Sequence, residues 1–345
     1  MIDIIIKSFN RPHYLDRCLS SIIQNVSGYD KIIVLDDGTP EKYLLKIKNK
    51  FPDIEINTSA QYNLKSKSIE NHTFDQDKLN GFTIPTDLWF NTVKDSDEYV
   101  LVTEDDVWFT DKIDLKNLVV SMSQFNVELC KLGWLGNNSD DSNLIRQDLT
   151  ENIETIVPRK LFTSSTFLMD WFMFNRYKFF SLLYYLKLVD NNTKRSYWIL
   201  NSILMGLYHK DYWLFMWKDS VNKLDEKIQL KNAAVYYHKN KKNKNLIGRT
   251  KSEVMKTTFK STASGVYHDY QGIHLDINRV NHILNEAWIK NDFDSMENFP
   301  KDFSDEYIKT FLEKENHSDA QYSEWFKWAE KFRQQYRNLG ADVEN

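Results

Sequence analysis

Glycine and proline are scarce in this chain, 10 and 6 among 345 residues, which excludes collagen-like, fibrous and linker-rich architectures. Cysteine is scarcer still. Cys18 and Cys130 cannot build a disulfide framework and read as packed thiols in a reducing compartment. No stretch approaches the roughly 20 apolar residues that span a bilayer. Residues 1–7 are too short for a secretion signal and read as a first strand. The expectation is a soluble, cytoplasmic protein, with peripheral contact at the inner face of the cytoplasmic membrane left open. Nor does one sign of charge dominate. Lys and Arg number 45 against 49 Asp and Glu, and the net −4 gives no drive toward nucleic acid.

What the chain has is a large apolar fraction, 41%, of which aromatics supply a generous part. That is enough for one large domain or two ordinary ones. Near-continuous apolar runs at 2–6, 31–35, 54–57 and 99–103 read as strands, and the amphipathic stretches 14–25, 41–50 and 84–94 read as helices. The alternation predicts an α/β fold with a parallel sheet covered on both faces. Residues 58–80 read as a polar loop over a site. Beyond 110 the expectations are a helix over 114–125, a strand over 132–136, a loop over 137–142 and a strand over 165–174 passing the site. Helices follow over 176–189, 197–208 and 211–224, then a strand over 233–238 that ends in His238. Lys239, Lys241, Lys242 and Lys244 make a basic run. The remainder is helical by pattern, with Trp325, Trp328, Phe332, Tyr336 and Leu339 at helical spacing. That last helix has three readings: packing onto the rest, self-association, or docking on a membrane surface.

Three strand ends carry polar clusters: Ser8–Arg11, Asp36–Thr39 and Glu104–Asp106. In a parallel sheet they lie along one edge, where α/β proteins bind ligands. Glu104, Asp105 and Asp106 are three adjacent carboxylates at the end of a buried strand. Their mutual repulsion is relieved by water in an exposed turn, or by a hard cation such as Mg²⁺ or Mn²⁺ that also accepts phosphate oxygens.

With those stations in view the chain resembles the inverting glycosyltransferase family 2. Ser8-Phe-Asn-Arg-Pro-His-Tyr-Leu-Asp-Arg-Cys-Leu-Ser-Ser-Ile22 looks like that family's first loop and helix, Leu35-Asp-Asp-Gly-Thr39 like its second-strand motif, and Thr103-Glu-Asp-Asp106 like its acidic metal motif. The resemblance implies a GT-A fold, Rossmann-like with a mostly parallel sheet flanked by helices, and a helical C-terminal extension. It divides the chain into a catalytic domain, 1–250, and a helical region, 251–345. Within the first, 1–110 is the nucleotide-binding half and 111–250 the acceptor-binding half.

The implied activity is metal-dependent transfer of a sugar from a nucleotide-sugar, a UDP-sugar first, to a hydroxyl of a glycan or lipid-linked acceptor. The Lys-, Asn- and Ile-rich composition fits an AT-rich bacterial genome, and by analogy the resemblance then implies surface-polysaccharide or lipooligosaccharide assembly as the context. Ser8 and Phe9 would bracket the nucleotide through backbone groups, Asp37 would accept from the base, and Arg11 or Lys78 would meet the diphosphate. Asp106 would bind Mn²⁺ or Mg²⁺, with Asp105 beside it, Glu104 shaping the shell and His238 completing it. The family's base opens a helix about 25 residues before a strand ending in histidine, which implies Asp211, with Asp170 and Asp225 in reserve. Two other readings stay open. One is a non-catalytic module that binds nucleotide-sugar or glycan. The other is a nucleotidyltransferase, although Lys7–His13 has no glycine for the phosphate loop such enzymes carry.

Overall fold

Strand β1 (Ile2–Ser8) is buried along its whole length, as a central strand covered on both faces must be. The computed structural model describes residues 2–75, 82–135, 144–190, 193–202, 204–222, 224–263 and 272–343. Pro12 opens α1 (Pro12–Asn25), where its missing N–H costs nothing. The chain continues through β2 (Val26–Ser27), β3 (Ile32–Asp36), α2 (Glu41–Lys50), β4 (Glu55–Thr58), α3 (Tyr62–Asp75), α4 (Thr86–Asp95) and β5 (Tyr99–Glu104). Next come β6 (Val107–Phe109), β7 (Ile113–Asp114), α5 (Leu115–Phe125), β8 (Leu129–Lys131), β9 (Leu144–Asp148) and β10 (Ile153–Pro158).

Beyond them lie α6 (Thr166–Met173), a 3₁₀ turn (Arg176–Lys178), α7 (Phe179–Tyr185), a second 3₁₀ turn (Arg195–Leu200), β11 (Gly206–His209), α8 (Lys210–Trp217) and α9 (Glu226–Lys239). The last elements are β12 (Ile247–Thr250), β13 (Met255–Thr257), α10 (Ile277–Ile289), α11 (Asp305–Glu315) and α12 (Tyr322–Asn338).

Nine strands form one mixed sheet in the order β4-β3-β1-β5-β11-β8-β12-β10-β9, flanked by helices. The first four are mutually parallel. β11 then enters reversed, antiparallel to both β5 and β8, and β12 runs parallel to β8. β1, β3, β5, β8 and β12 therefore all end at one edge, the carboxyl edge.

Several expectations in the second half change. Residues 165–174 form α6, not a strand. An all-apolar run suits either element, and burial of Met169, Phe172 and Met173 on one side fits a helix. Residues 233–238 belong to α9, capped at its start by the Asp225 carboxylate, which accepts from Ile228 N at 3.2 Å. Residues 197–208 split into a 3₁₀ turn and β11. The 58–80 loop contains α3. The 137–142 loop lies outside the described residues.

Residues beyond 250 are built into the same core as the first strands. β13 pairs antiparallel with β6. Trp288 of α10 donates its indole N–H to Asp16 of α1 at 2.9 Å. Ile4, Leu15, Trp108, Trp288 and Trp325 belong to one buried cluster. In α12, Trp325 and Trp328 are only 2% and 4% exposed, so that helix turns its indoles inward.

Candidate active site

The register brings the three polar strand ends together. Lys7 lies opposite Leu35 on one side and Glu104 on the other, and Ser8 lies opposite Asp36. Asp36 is fully buried and spends its carboxylate on the turn, accepting from Gly38 N at 3.0 Å, Thr39 N at 2.8 Å and Thr39 Oγ1 at 2.6 Å. Burial pushes its pKa up, against these hydrogen bonds. Gly38 sits at φ +143°, where a Cβ would meet the Cβ of Lys65 at 2.6 Å. Gly38→Ala is therefore expected to cost about 1–3 kcal/mol of stability, read by urea unfolding. An unchanged midpoint would show that the turn yields freely.

Asp37 is gripped by a residue not visible in the sequence pattern. Lys65 of α3, 1% exposed, donates to both Asp37 carboxylate oxygens at 2.6 Å and to the Thr83 carbonyl at 2.8 Å. Burial raises the Asp37 pKa and Lys65 opposes it.

At the acidic triplet each carboxylate already has a basic partner. Lys7 Nζ lies 2.6 Å from Glu104 Oε1 and over the rings of Trp89 and Trp217, 4.9 and 5.6 Å from their centroids. Arg11 forks across the other two, with Nη2 on Asp105 and Nη1 on Asp106 at 2.5 Å. Its Nη1 also donates to Thr262 Oγ1 at 3.0 Å. Asp105 further accepts from Ser8 Oγ at 3.2 Å and Phe9 N at 3.1 Å. The Ser8 hydroxyl and the Phe9 amide thus both hold an aspartate. Burial opposes the Arg11 charge, and the two aspartates outweigh it and raise its pKa. Burial likewise raises Asp105, and pushes Asp106 up to about 7.

This donor set does not fit a resident Mn²⁺ or Mg²⁺. Such ions want several oxygens at close range, and here Asp106 Oδ1 is the triplet's one buried carboxylate oxygen without a partner. The Arg11 guanidinium already occupies one oxygen of each aspartate. Among the described residues no group of three or more His, Cys, Asp or Glu is arranged around a metal position.

Two expected members lie elsewhere. β11 runs from Gly206, opposite Val102, to His209, opposite Tyr99, so Asp211 emerges at the amino edge. Five residues of strand, about 17 Å, separate that end from Glu104. Asp211 is exposed there. His238 is in the last turn of α9, and Asn243 just after it donates to the Asn126 carbonyl ahead of β8, again at the amino edge. Neither His238 nor the lysine run 239–244 reaches the triplet. Asp170 is paired with Arg176 at 3.0 Å and Lys231 at 3.7 Å. Lys78 lies outside the described residues.

The carboxyl edge gains other residues instead. α8 runs back from Asp211 to Trp217, beside Lys7. The chain then crosses to Asp225 and Glu226, which open α9. Partial burial raises the Glu226 pKa, and Asp225 adds to it. Tyr336 of α12 lies within electrostatic reach of Glu226, Asp106 and Glu104 alike.

A scan against protein-family models finds no match, and a search of curated proteins finds no relative. Among solved structures, S. aureus TarS 1–349 in complex with UDP-GlcNAc is 12% identical, with 90% of this chain and 71% of that one covered at a TM-score of 0.40. Mannosyltransferase PcManGT from Pyrobaculum calidifontis, in complex with GDP-Man and Mn²⁺, is 13% identical over 38% of this chain and 35% of its own, at 0.28. A 4-diphosphocytidyl-2C-methyl-D-erythritol synthase is 11% identical over 74% of this chain and 93% of its own, at 0.32. Likenesses this slight lend nothing to the functional reading, which rests on the site.

Proposed function

We propose that this chain is a GT-A glycosyltransferase that moves a sugar from a nucleotide-sugar, a UDP-sugar first, to a hydroxyl of a glycan or lipid-linked acceptor in bacterial surface-polysaccharide assembly. The observation that carries the reading is the convergence of the three polar strand ends on one sheet edge, where Lys65 pairs with Asp37, Lys7 with Glu104, and Arg11 with Asp105 and Asp106. Asp37, positioned by Lys65, accepts from the nucleobase. A planar guanidinium and an ammonium at the neighbouring strand ends suit a diphosphate, which takes bidentate donors well. In-line attack at the anomeric carbon inverts it and needs a base for the acceptor proton. Glu226 is our candidate. It opens α9 on the correct edge, and partial burial raises its pKa, which makes its carboxylate a stronger base.

The triplet already paired with Lys7 and Arg11 also favours a second reading, a module that binds a nucleotide-sugar without turning it over. One experiment separates the two. The protein is titrated with UDP-, GDP- and CMP-sugars in a calorimeter and nucleotide release is followed, with and without Mn²⁺. Binding with release supports the transferase, binding without release the module. No binding to any donor, or binding that Asp37→Ala leaves unchanged, would overturn both.

A further inference from the structure

The aromatic helix α12 buries its indoles, yet the chain does expose an aromatic surface elsewhere. α6, the 3₁₀ turn and α7 pack on the core through Met169, Phe172, Met173 and Leu183. Their outer side carries Phe167, Tyr177, Tyr184, Tyr185, Leu186 and Leu188, with Tyr177 and Tyr185 each 83% exposed. Trp171 ties the surface together, 4.4 Å from Phe167 and 4.9 Å from Tyr177 between ring centroids. Soluble monomers seldom leave contiguous apolar area of this kind in water unless it meets a partner.

The charge of the segment says which partner. The chain as a whole is net −4, but residues 159–195 hold seven basic side chains against Asp170 and Asp190. Exposed Arg176, Lys178 and Lys187 are interleaved with the tyrosines and leucines. A twofold contact between copies would set this basic patch against itself. Tyr, Phe and Leu beside Lys and Arg is the composition that seats a helix at an anionic bilayer surface, with rings among the headgroups and cations on the phosphates. Among the described residues no helix is long and apolar enough to cross a membrane. Behind the patch, Phe172 packs on Tyr197 of the 3₁₀ turn whose Trp198 carbonyl accepts from Lys131 at the carboxyl edge, at 2.7 Å. The surface thus connects to the sheet edge that carries the candidate site.

We infer that the face formed by residues 167–188 docks the protein on an anionic phospholipid surface. It lies flat, without spanning, and sets the carboxyl edge close to headgroups. This does not depend on the glycosyltransferase reading, and its test uses no sugar nucleotide. The full chain is floated with vesicles of phosphatidylcholine alone and of phosphatidylcholine mixed with phosphatidylglycerol, at low and high salt. The wild type is expected to float with the mixed vesicles at low salt, and to stay behind with the neutral ones or at high salt. Tyr177→Ser/Tyr185→Ser and Lys178→Glu/Lys187→Glu are each expected to weaken flotation roughly tenfold, with unfolding temperatures matching the wild type because all four side chains are exposed. Absence of flotation, or flotation that survives both double variants, would overturn the inference. So would self-association in sedimentation that the tyrosine variant abolishes, which would give the face to a second copy.

Discussion

Arg11→Met is expected to be the most damaging single change at the site, at about 3–5 kcal/mol, because removing one partner strands buried charge. Arg11 is 8% exposed and holds Asp105 and Asp106 at once, and among the described residues neither aspartate is paired with another cation. Urea unfolding of the folded fraction reads the loss. The pH dependence tests the cause. Burial places the folded Asp106 pKa near 7, above the value near 3.8 of an unconstrained aspartate. A carboxyl raised on folding binds a proton that the unfolded chain has lost, so its contribution to stability falls as pH climbs from about 4 to about 7, in wild type and variant alike. At pH 7 the wild type has lost about half of that proton, and about one pH unit higher the loss is nearly complete. The variant, without the guanidinium, keeps its aspartates protonated to higher pH and goes on losing stability. The gap between the two should therefore widen above pH 7. A gap that is constant or that narrows would mean that Arg11 acts by packing alone.

The same variant tests the poor fit for a resident metal. In the wild type a divalent ion must displace the guanidinium, so millimolar Mn²⁺ or EDTA is expected to leave the unfolding temperature unchanged. In Arg11→Met the vacated cluster of carboxylates should gain stability from Mn²⁺ by mass action. If Mn²⁺ stabilised the wild type and not the variant, the aspartates would be metal ligands that Arg11 merely supports.

How much of this was legible follows from the range of each signal. The first five elements of the sheet half and the three polar strand ends are local features, and the parallel register alone carries them to one edge. The partners of those carboxylates are not local. Arg11 meets Asp105 across 94 residues, and a buried Lys65 in a polar helix has no sequence mark. The reserve aspartate shows how one misread element moves a site. Ala233–His238 has the apolar run of a strand but lies in a helix, whose former-rich start and Asp225 cap prevail. The strand is β12, weakened in the pattern by Gly248, whose Cβ would crowd Val127 at 3.2 Å. Asp225 and its neighbour Glu226 open α9, whereas Asp211 follows β11 at the amino edge.

That shift makes the second large expectation sharp. Glu226→Gln should lower turnover by about 10²–10⁴-fold, the usual worth of a positioned base, while nucleotide-sugar affinity in the calorimeter stays at the wild-type value. Asp211→Asn, at the amino edge, should leave both unchanged. Asp225→Asn keeps a helix cap and should change turnover little. Because burial raises the Glu226 pKa, its basic form is depleted at acid pH. Wild-type kcat/KM should therefore climb with pH through a value above the ordinary glutamate range, and that limb should vanish in Glu226→Gln. Tyr336→Phe adds a check on the surroundings of Glu226. Its hydroxyl lies near Glu226, Asp106 and Glu104 together, so its loss should shift the limb without removing it. An acid limb that survives in Glu226→Gln, or an Asp211→Asn variant that is dead while folded, would return the base to the opposite side of the sheet. The carboxyl-edge site could not then be the place where the sugar is transferred.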